Sequence, residues 1–332
     1  MVTYSQVKAS NALITEATAP RVSIFVGGTS GVGNYTVRAL VSTGASVRVY
    51  IVGRKSSEAR TRAFIEELHS INSKADVVWI GGEVSLLAEV TRVCGIIKEK
   101  ESRIDLLFLT TGYAPVGVRE DTAEGIEITQ TLEYYSRMLF IVQLLPLLRE
   151  AENPRVISVL GGGLERTSSI ILDDMELRKP SNFGPFNGQI HCSAMNTVFM
   201  DRLAREHPEI TFFHSWPGWV NTGNVNRGYE PNSKWAWFVW LFLERIIELF
   251  GFSHEESGQR YLFQCTSAAY GGQGTPWNGK TGVNTMNETG KGLFLVNNKC
   301  DCTPNSKVVA ELRQKAEGKV WNYTQEILKR YL

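Results

Sequence analysis

The stretch VSIFVGGTSGVGNYTVRAL, residues 22–40, decides the fold. Val22 to Val26 form a short β-branched and aromatic run that reads as a buried strand, and the residues from Val32 onward carry a helical pattern. Between them stand Gly27, Gly28, Thr29, Ser30, Gly31, Val32 and Gly33. Glycine at these places lets the backbone turn sharply and lets a pyrophosphate approach the helix N-terminus, where free N–H groups and the helix dipole favour negative charge. A glycine pattern alone is weak evidence. Here the strand before it and the helix after it supply the context it needs, so Gly27, Thr29, Ser30, Gly31, Val32 and Gly33 read as a dinucleotide grip.

Outward from this segment the chain alternates short apolar runs with amphipathic ones. Strands are expected at 22–26, 46–52, 76–80, 105–109, 155–160 and 210–214, and helices near 32–43, 57–71, 85–100, 122–149 and 190–206. Strands separated by helices of this length imply parallel pairing through crossovers, hence an α/β fold with a Rossmann-like, doubly wound parallel sheet. Residues 1–20 read as an N-terminal arm, 21–223 as the dinucleotide-binding core, and 224–332 as a lid and C-terminal elaboration of the same single domain.

The second strand ends in Gly53-Arg54-Lys55, and Arg54 lies 21 residues after Gly33. An NAD site places an acid about 20 residues on, to accept from the ribose hydroxyl. Two cations at that place favour the 2′-phosphate of NADP over NAD, because a guanidinium can clamp phosphate with two parallel bonds.

Composition narrows the classes of partner. Lysine plus arginine number 35 against 34 acids, a formal charge of +1, which gives no electrostatic case for nucleic acid. The five cysteines are odd in number and irregularly spaced, and they read as a reducing, cytoplasmic setting rather than a disulfide framework. Cys300-Asp301-Cys302 has no second pair and no histidine nearby, so no metal site is read there. The start of the chain shows no basic segment followed by an apolar run, so no signal peptide is expected. Residues 234–252, KWAWFVWLFLERIIELFGF, are too short and too charged to span a bilayer, which takes about 20 apolar residues. They read as a lid over an apolar pocket, as a membrane-surface or partner contact, or as plain core.

The chain resembles the short-chain dehydrogenase/reductase family over about residues 21–223, in the flavour found in fungal secondary-metabolite pathways. Gly27, Gly31 and Gly33 match the family's Gly-x-x-x-Gly-x-Gly, Glu83-Val84 stands where the family has Asp-Val, and Thr111-Gly112 matches its Ala-Gly. Pro217, Gly218, Val220 and Thr222 look like the family's Pro-Gly…Thr segment. The resemblance implies that Glu83 contacts adenine and that the 217–222 segment borders the nicotinamide. It also implies homo-oligomers built through the helices after strands four and five.

The resemblance breaks at the chemistry. The family uses a tyrosine acid/base, a lysine four residues later, a serine and an asparagine. Registering NGQIHCSAMNTVFMDRLARE on Asn196 and on Leu203-Ala204 puts Gln189 at the tyrosine and Ser193 at the lysine. The serine position falls at Gly161 in the run Gly161-Gly162-Gly163, and the asparagine position at Glu133. Glutamine cannot deliver a proton to an alkoxide, and serine carries no charge to activate a neighbour. Candidates for replacement are Tyr113 after the fourth strand, Glu133 and Tyr134 on the next helix, and His191, whose ring titrates naturally near neutrality. Glu133 and Arg137 stand at i and i+4, where a carboxylate and a guanidinium can pair. Each also has a structural reading: Tyr134 and Tyr135 as core aromatics, His191 as a satisfied buried histidine, and Ser158 as packed in its strand.

Three functions follow. The first is an NADP-dependent oxidoreductase acting on a carbonyl or alcohol of a lipophilic small molecule, with its acid/base groups rearranged. The second is a cyclase, isomerase or dehydratase on the same scaffold, and the third a catalytically silent nucleotide-binding protein.

Overall fold

The computed structural model describes residues 2–113, 118–218 and 251–332. Seven strands form one parallel sheet in the order β3-β2-β1-β4-β5-β6-β7. They are β1 Val22–Val26, β2 Arg48–Gly53, β3 Asp76–Gly81, β4 Leu106–Leu109, β5 Arg155–Val159, β6 Thr211–Ser215 and β7 Leu293–Val296. The central strands are buried on both faces, as strands covered by helices on both sides must be. The spatial order reverses between β1 and β4, so the loops leaving their C-terminal ends part there and open a crevice. The doubly wound sheet expected from the sequence is the one that forms.

Helices cover the sheet in two layers. On one face lie α1 Tyr4–Asn11, α2 Gly31–Val41, α3 Glu58–Ile71 and α7 His254–Thr266. On the other lie α4 Leu87–Lys100, α5 Ser136–Arg149 and α6 Pro185–Glu206, followed by α8 Ser306–Lys315 and α9 Glu317–Leu328. The N-terminal arm is more than a tether. Thr3 and Gln6 close a complete capping box on α1, Val7 is fully buried, and Asn11 Nδ2 donates to Gln259 O on α7 at 2.8 Å. Nor does the sheet stop at residue 223. β7 extends it beside β6, and α7 lies directly on α2, where a β-carbon on Gly258 would come 2.4 Å from Tyr35 O. Glycine is what allows these two helix backbones to approach so closely.

The C-terminal helices roof α6. Phe199 and Trp321 stack at 4.7 Å, the Arg202 guanidinium sits 3.8 Å from the Trp321 ring centre, and Arg313 grips Asp201 at 2.9 and 3.1 Å. Further along, Tyr331 O accepts from Gln143 Nε2 on α5 at 2.7 Å and from Thr91 Oγ1 on α4 at 3.0 Å. The helices after β4 and β5 are thus covered by the chain itself, on the elements through which the resemblance implies oligomers. Residues 234–250 of the tryptophan-rich stretch lie outside the described residues. Among the described residues no helix is long and apolar enough to cross a membrane.

Candidate active site

Parallel strands bring their C-terminal ends to one edge, and the glycine segment sits at its centre. Gly27 (φ +98°) and Gly31 (φ +59°) hold left-handed backbone. A β-carbon on Gly33 would lie 2.8 Å from Gly27 O, and one on Gly27 would lie 2.5 Å from Thr110 Oγ1. Thr110 Oγ1 in turn donates to Val26 O and Gly27 O at 3.3 Å, tying the end of β4 to the loop after β1. A β-carbon on Gly53 would collide with Thr29 Cγ2 at 2.4 Å. The loop is a backbone cradle at the N-terminus of α2, closed so tightly that side chains are excluded.

Around it the structure brings together most of the expected cofactor residues. Arg54 and Lys55 are exposed just after β2, and among the described residues neither forms an ion pair. Ser57 fixes that corner by donating its backbone N–H (2.8 Å) and Oγ (2.7 Å) to Arg54 O. Glu83 is exposed after β3 and accepts from Ser85 Oγ at 2.9 Å. Thr111 Oγ1 donates to Leu132 O at 3.1 Å, and Gly112 turns at φ +149°. Pro217 and Gly218 follow β6, with Gly218 (φ +66°) against Asn298. Val220 and Thr222 lie outside the described residues.

Beside the cradle is a cleft lined by Leu160, Gly161, Leu164, Glu165, Gln189, Ile190, Ser193 and Trp216. A β-carbon on Gly161 would touch Ser193 Oγ at 2.5 Å, so glycine is what lets the serine stand there. The half-buried Gln189 donates from Nε2 to Glu133 Oε1. Glu133 itself is 1% exposed, and its Oε2 has no hydrogen-bond partner among the described residues. Burial pushes its carboxyl up to about 8, against the opposing charge of Arg137 and the bond from Gln189.

Glu133 and Arg137 do not pair as their spacing suggested. The segment Thr131–Tyr135 is a π turn leading into α5, and within it Glu133 takes its side-chain bond from Gln189. Arg137 is spent elsewhere: on Ser158 Oγ (2.8 Å), Val159 O (2.9 Å), Leu132 O (3.2 Å) and Thr111 O. Ser158 Oγ donates to Asn196 Oδ1 at 2.9 Å, and Asn196 Nδ2 donates to Glu133 O and Cys192 O, each at 2.8 Å. This network clamps the floor of the cleft and uses Ser158 as a strut.

Two other candidates are turned away from the cleft. Tyr134 is buried in the core under α9, its hydroxyl on Thr324 Oγ1 at 2.6 Å. His191 is fully buried. Its Nδ1 accepts from Ile171 N and its Nε2–H donates to Met175 O, both at 3.1 Å, and burial pushes the ring down to about 4. With both nitrogens committed and the ring neutral, His191 has no proton to trade. Tyr113 remains at the rim, half-buried, with its phenol raised by burial first and then by the charges of Glu127 and Glu120, against Arg54.

Comparison with known proteins gives this arrangement a family. The short chain dehydrogenase model matches residues 21–163. The oxidoreductase AN1596 of Emericella nidulans is 38% identical over 99% of this chain and 98% of its own length. The chain belongs to the short-chain dehydrogenases/reductases. The short-chain dehydrogenase/reductase SAT2 of Stachybotrys chartarum is 28% identical over 91% of this chain and 90% of its own. L-sorbose reductase from Gluconobacter frateurii, solved with NADPH and L-sorbose, shares the fold at a TM-score of 0.54 and 17% identity, over 74% of this chain and 90% of that one.

Within this short-chain dehydrogenase/reductase, Gly161, Gln189 and Ser193 line one cleft, with Glu133 bonded to Gln189 from behind. A second buried set escaped the sequence reading. Gly161 N–H donates to His214 Nε2 at 3.2 Å, His214 Nδ1 meets Thr197 Oγ1 at 2.7 Å, and Thr197 donates to Glu165 Oε1 at 2.5 Å. The Glu165 carboxylate also receives Gly163 N–H at 3.0 and 3.1 Å. Burial holds His214 below its ordinary range; burial would raise Glu165, but the bonds from His214 and Thr197 keep it low. The three residues lie on a loop, a helix and a strand, and no spacing links them. The glycine run 161–163 was the one visible trace, since a β-carbon on Gly162 would fall 1.9 Å from His214 O.

Proposed function

We propose that this protein is an NADP-dependent oxidoreductase that acts on a carbonyl or alcohol of a lipophilic small molecule. The observation that carries the reading is the cradle of Gly27, Gly33 and Gly53 at the N-terminus of α2, closed by sterics to added β-carbons and flanked by Arg54 and Lys55, which form no ion pair among the described residues. Gly27, Thr29, Ser30, Gly31, Val32 and Gly33 would hold the pyrophosphate, Arg54 and Lys55 the 2′-phosphate, Glu83 the adenine side, and Thr111, Gly112, Pro217 and Gly218 the nicotinamide side. Bound there, the dinucleotide supplies the hydride.

The chain's own residues do the rest. Leu160, Leu164, Ile190 and Trp216 give the cleft apolar walls that suit a lipophilic substrate. Ser193 Oγ and the Gln189 amide are the uncharged polar groups positioned to hold a substrate oxygen. Ser193 can pass its hydroxyl proton to an alkoxide formed there and recover one from water. That is a weaker acid route than a tyrosine activated by lysine, and it favours substrates whose oxygen is readily protonated.

NADPH titration, followed by quenching of tryptophan fluorescence and by thermal shift, tests the reading. Saturable binding is the expected result, with NADH weaker. No binding of either dinucleotide would sink it. Turnover of a substrate without change in NADPH absorbance would move the assignment to an isomerase or dehydratase, for which the buried acid Glu133 is the favouring observation.

A further inference from the structure

The Glu133–Gln189 bond joins the two positions at which the short-chain dehydrogenase/reductase pattern has lost its asparagine and its tyrosine, and it connects a sealed acid to the wall of the cleft. We propose that Glu133 and Gln189 work as one unit that sets the hydrogen-bonding polarity of the cleft. With Glu133 protonated, its carboxyl donates to Gln189 Oε1 and the amide NH2 turns toward a bound oxygen. With Glu133 ionised, the NH2 donates inward and Gln189 presents its carbonyl oxygen instead. This rests on the reading of the cleft as the site of the substrate oxygen.

The geometry supports each part. The amide oxygen and nitrogen of glutamine are alike in shape, so the side chain can turn over in place without repacking. Glu133 fits its pocket only because Gly112 lacks a β-carbon, which would stand 2.8 Å from Glu133 Cγ and 3.0 Å from Oε1. Its second oxygen is buried without a donor among the described residues. A carboxylate so placed is costly, whereas a carboxylic acid needs only one acceptor, and Gln189 can be that acceptor.

The groups facing Glu133 come from each packed element. Arg137 on α5 favours the ionised form, but its donors are already spent on Ser158 and backbone carbonyls. Glu127, which caps the turn before it, opposes ionisation. The Tyr113 phenol after β4 and the buried Cys192 thiol on α6 both feel the Glu133 charge and stay neutral. Burial leads the balance and lifts Glu133 to about 8, so both states fall within reach of ordinary conditions.

A ketone oxygen only accepts, so it is held by the donor state, with Glu133 protonated. An alcohol both donates and accepts, so it is held by either state. Gln189 is the residue that touches substrate, and Glu133 is a positioning residue that acts through it.

The test needs neither substrate nor cofactor. Infrared difference spectra of the whole protein, titrated through the region of pH 8, are expected to show a buried carboxylic-acid band that bleaches as pH rises, and to lack it in Glu133→Gln. In protein carrying isotope-labelled glutamine, the Gln189 side-chain amide resonances move with the same midpoint, and stay still in Glu133→Gln. Gln189→Leu keeps the band but raises its midpoint, because the bond that favours ionisation is gone. No protonated acid near neutrality, a flat Gln189 signal through the titration, or an unmoved midpoint in Gln189→Leu would each overturn the proposal. A protein that binds NADPH without this coupled titration sinks the polarity device alone. One that titrates as expected but binds no dinucleotide sinks the oxidoreductase reading and leaves the coupling in place.

Discussion

The two halves of the sheet edge have been constrained in different ways. At the ends of β1 and β2 sterics favour glycine: a β-carbon on Gly27, Gly33 or Gly53 would strike Thr110 Oγ1, Gly27 O or Thr29 Cγ2. At the ends of β4 and β5 the backbone frame is equally well tied, through Arg137, Ser158 and Asn196, but the groups that reach the cleft are Gln189, Ser193 and the bare Gly161. One half is fixed by sterics at its glycines. The other is tied by a buried polar network of Arg137, Ser158 and Asn196, and Gln189 and Ser193 are the side-chain amide and hydroxyl that line its cleft.

The sharpest way to break this contrast is Gly33→Val. Overpacking against backbone that cannot yield is expected to cost about 2–3 kcal/mol locally, and to weaken NADPH by about 100-fold in a fluorescence titration. Retained affinity would mean that the cradle is looser than its contacts imply. Arg54→Glu comes next. Loss of a charge-assisted phosphate contact is expected to weaken NADPH by about 10- to 50-fold and leave NADH unchanged. An equal loss for both dinucleotides would remove the case for a 2′-phosphate clamp.

On the cleft half, Glu133→Gln tests stability against pH. The folded-state pKa of Glu133 lies above its unfolded value of 4.5, so the folded protein holds the extra proton between the two. Its contribution is present below pH 4.5 and is lost as pH rises toward about 8. The variant should therefore gain stability relative to the parent across that window, by a few kcal/mol at its upper end, read as a growing difference in Tm. A pH-independent difference would mean that the carboxyl is already ionised. The smallest effect is expected from Tyr134→Phe, which leaves Thr324 without its partner. A loss of about 1–2 kcal/mol in stability with unchanged NADPH affinity fits a residue that only packs.

The sequence spoke most clearly where a local rule governs. β1 runs over Val22–Val26 as its β-branched pattern required, and α2 begins at the glycines. α6 starts at Pro185, five residues before the amphipathic pattern at 190, although proline at the first helical position after Gly184 was a readable signal. The capping box at Thr3 and Gln6 was equally legible for α1. β7 is another case: LFLV is too short to stand out, and only its pairing with β6 makes it a strand. The same limit applies to the site. Glu133 and Gln189 stand 56 residues apart and His214 and Glu165 sit on separate elements, so only the fold brings them together. The i,i+4 argument for Arg137 failed because its donors go to Ser158 and to backbone carbonyls of other elements, which spacing along one helix does not show.

The packing of late elements onto early ones also bears on how the molecule is made. α2, the helix of the cradle, is covered by α7, and α6, the helix of the cleft, is covered by α9. During synthesis both helices must therefore wait with apolar faces bare until residues 254–266 and 317–328 have left the ribosome. Gly258 and Trp321 are closing pieces in that sequence, and damage to either should show first as poor yield of soluble protein from the cell rather than as a change in the purified enzyme.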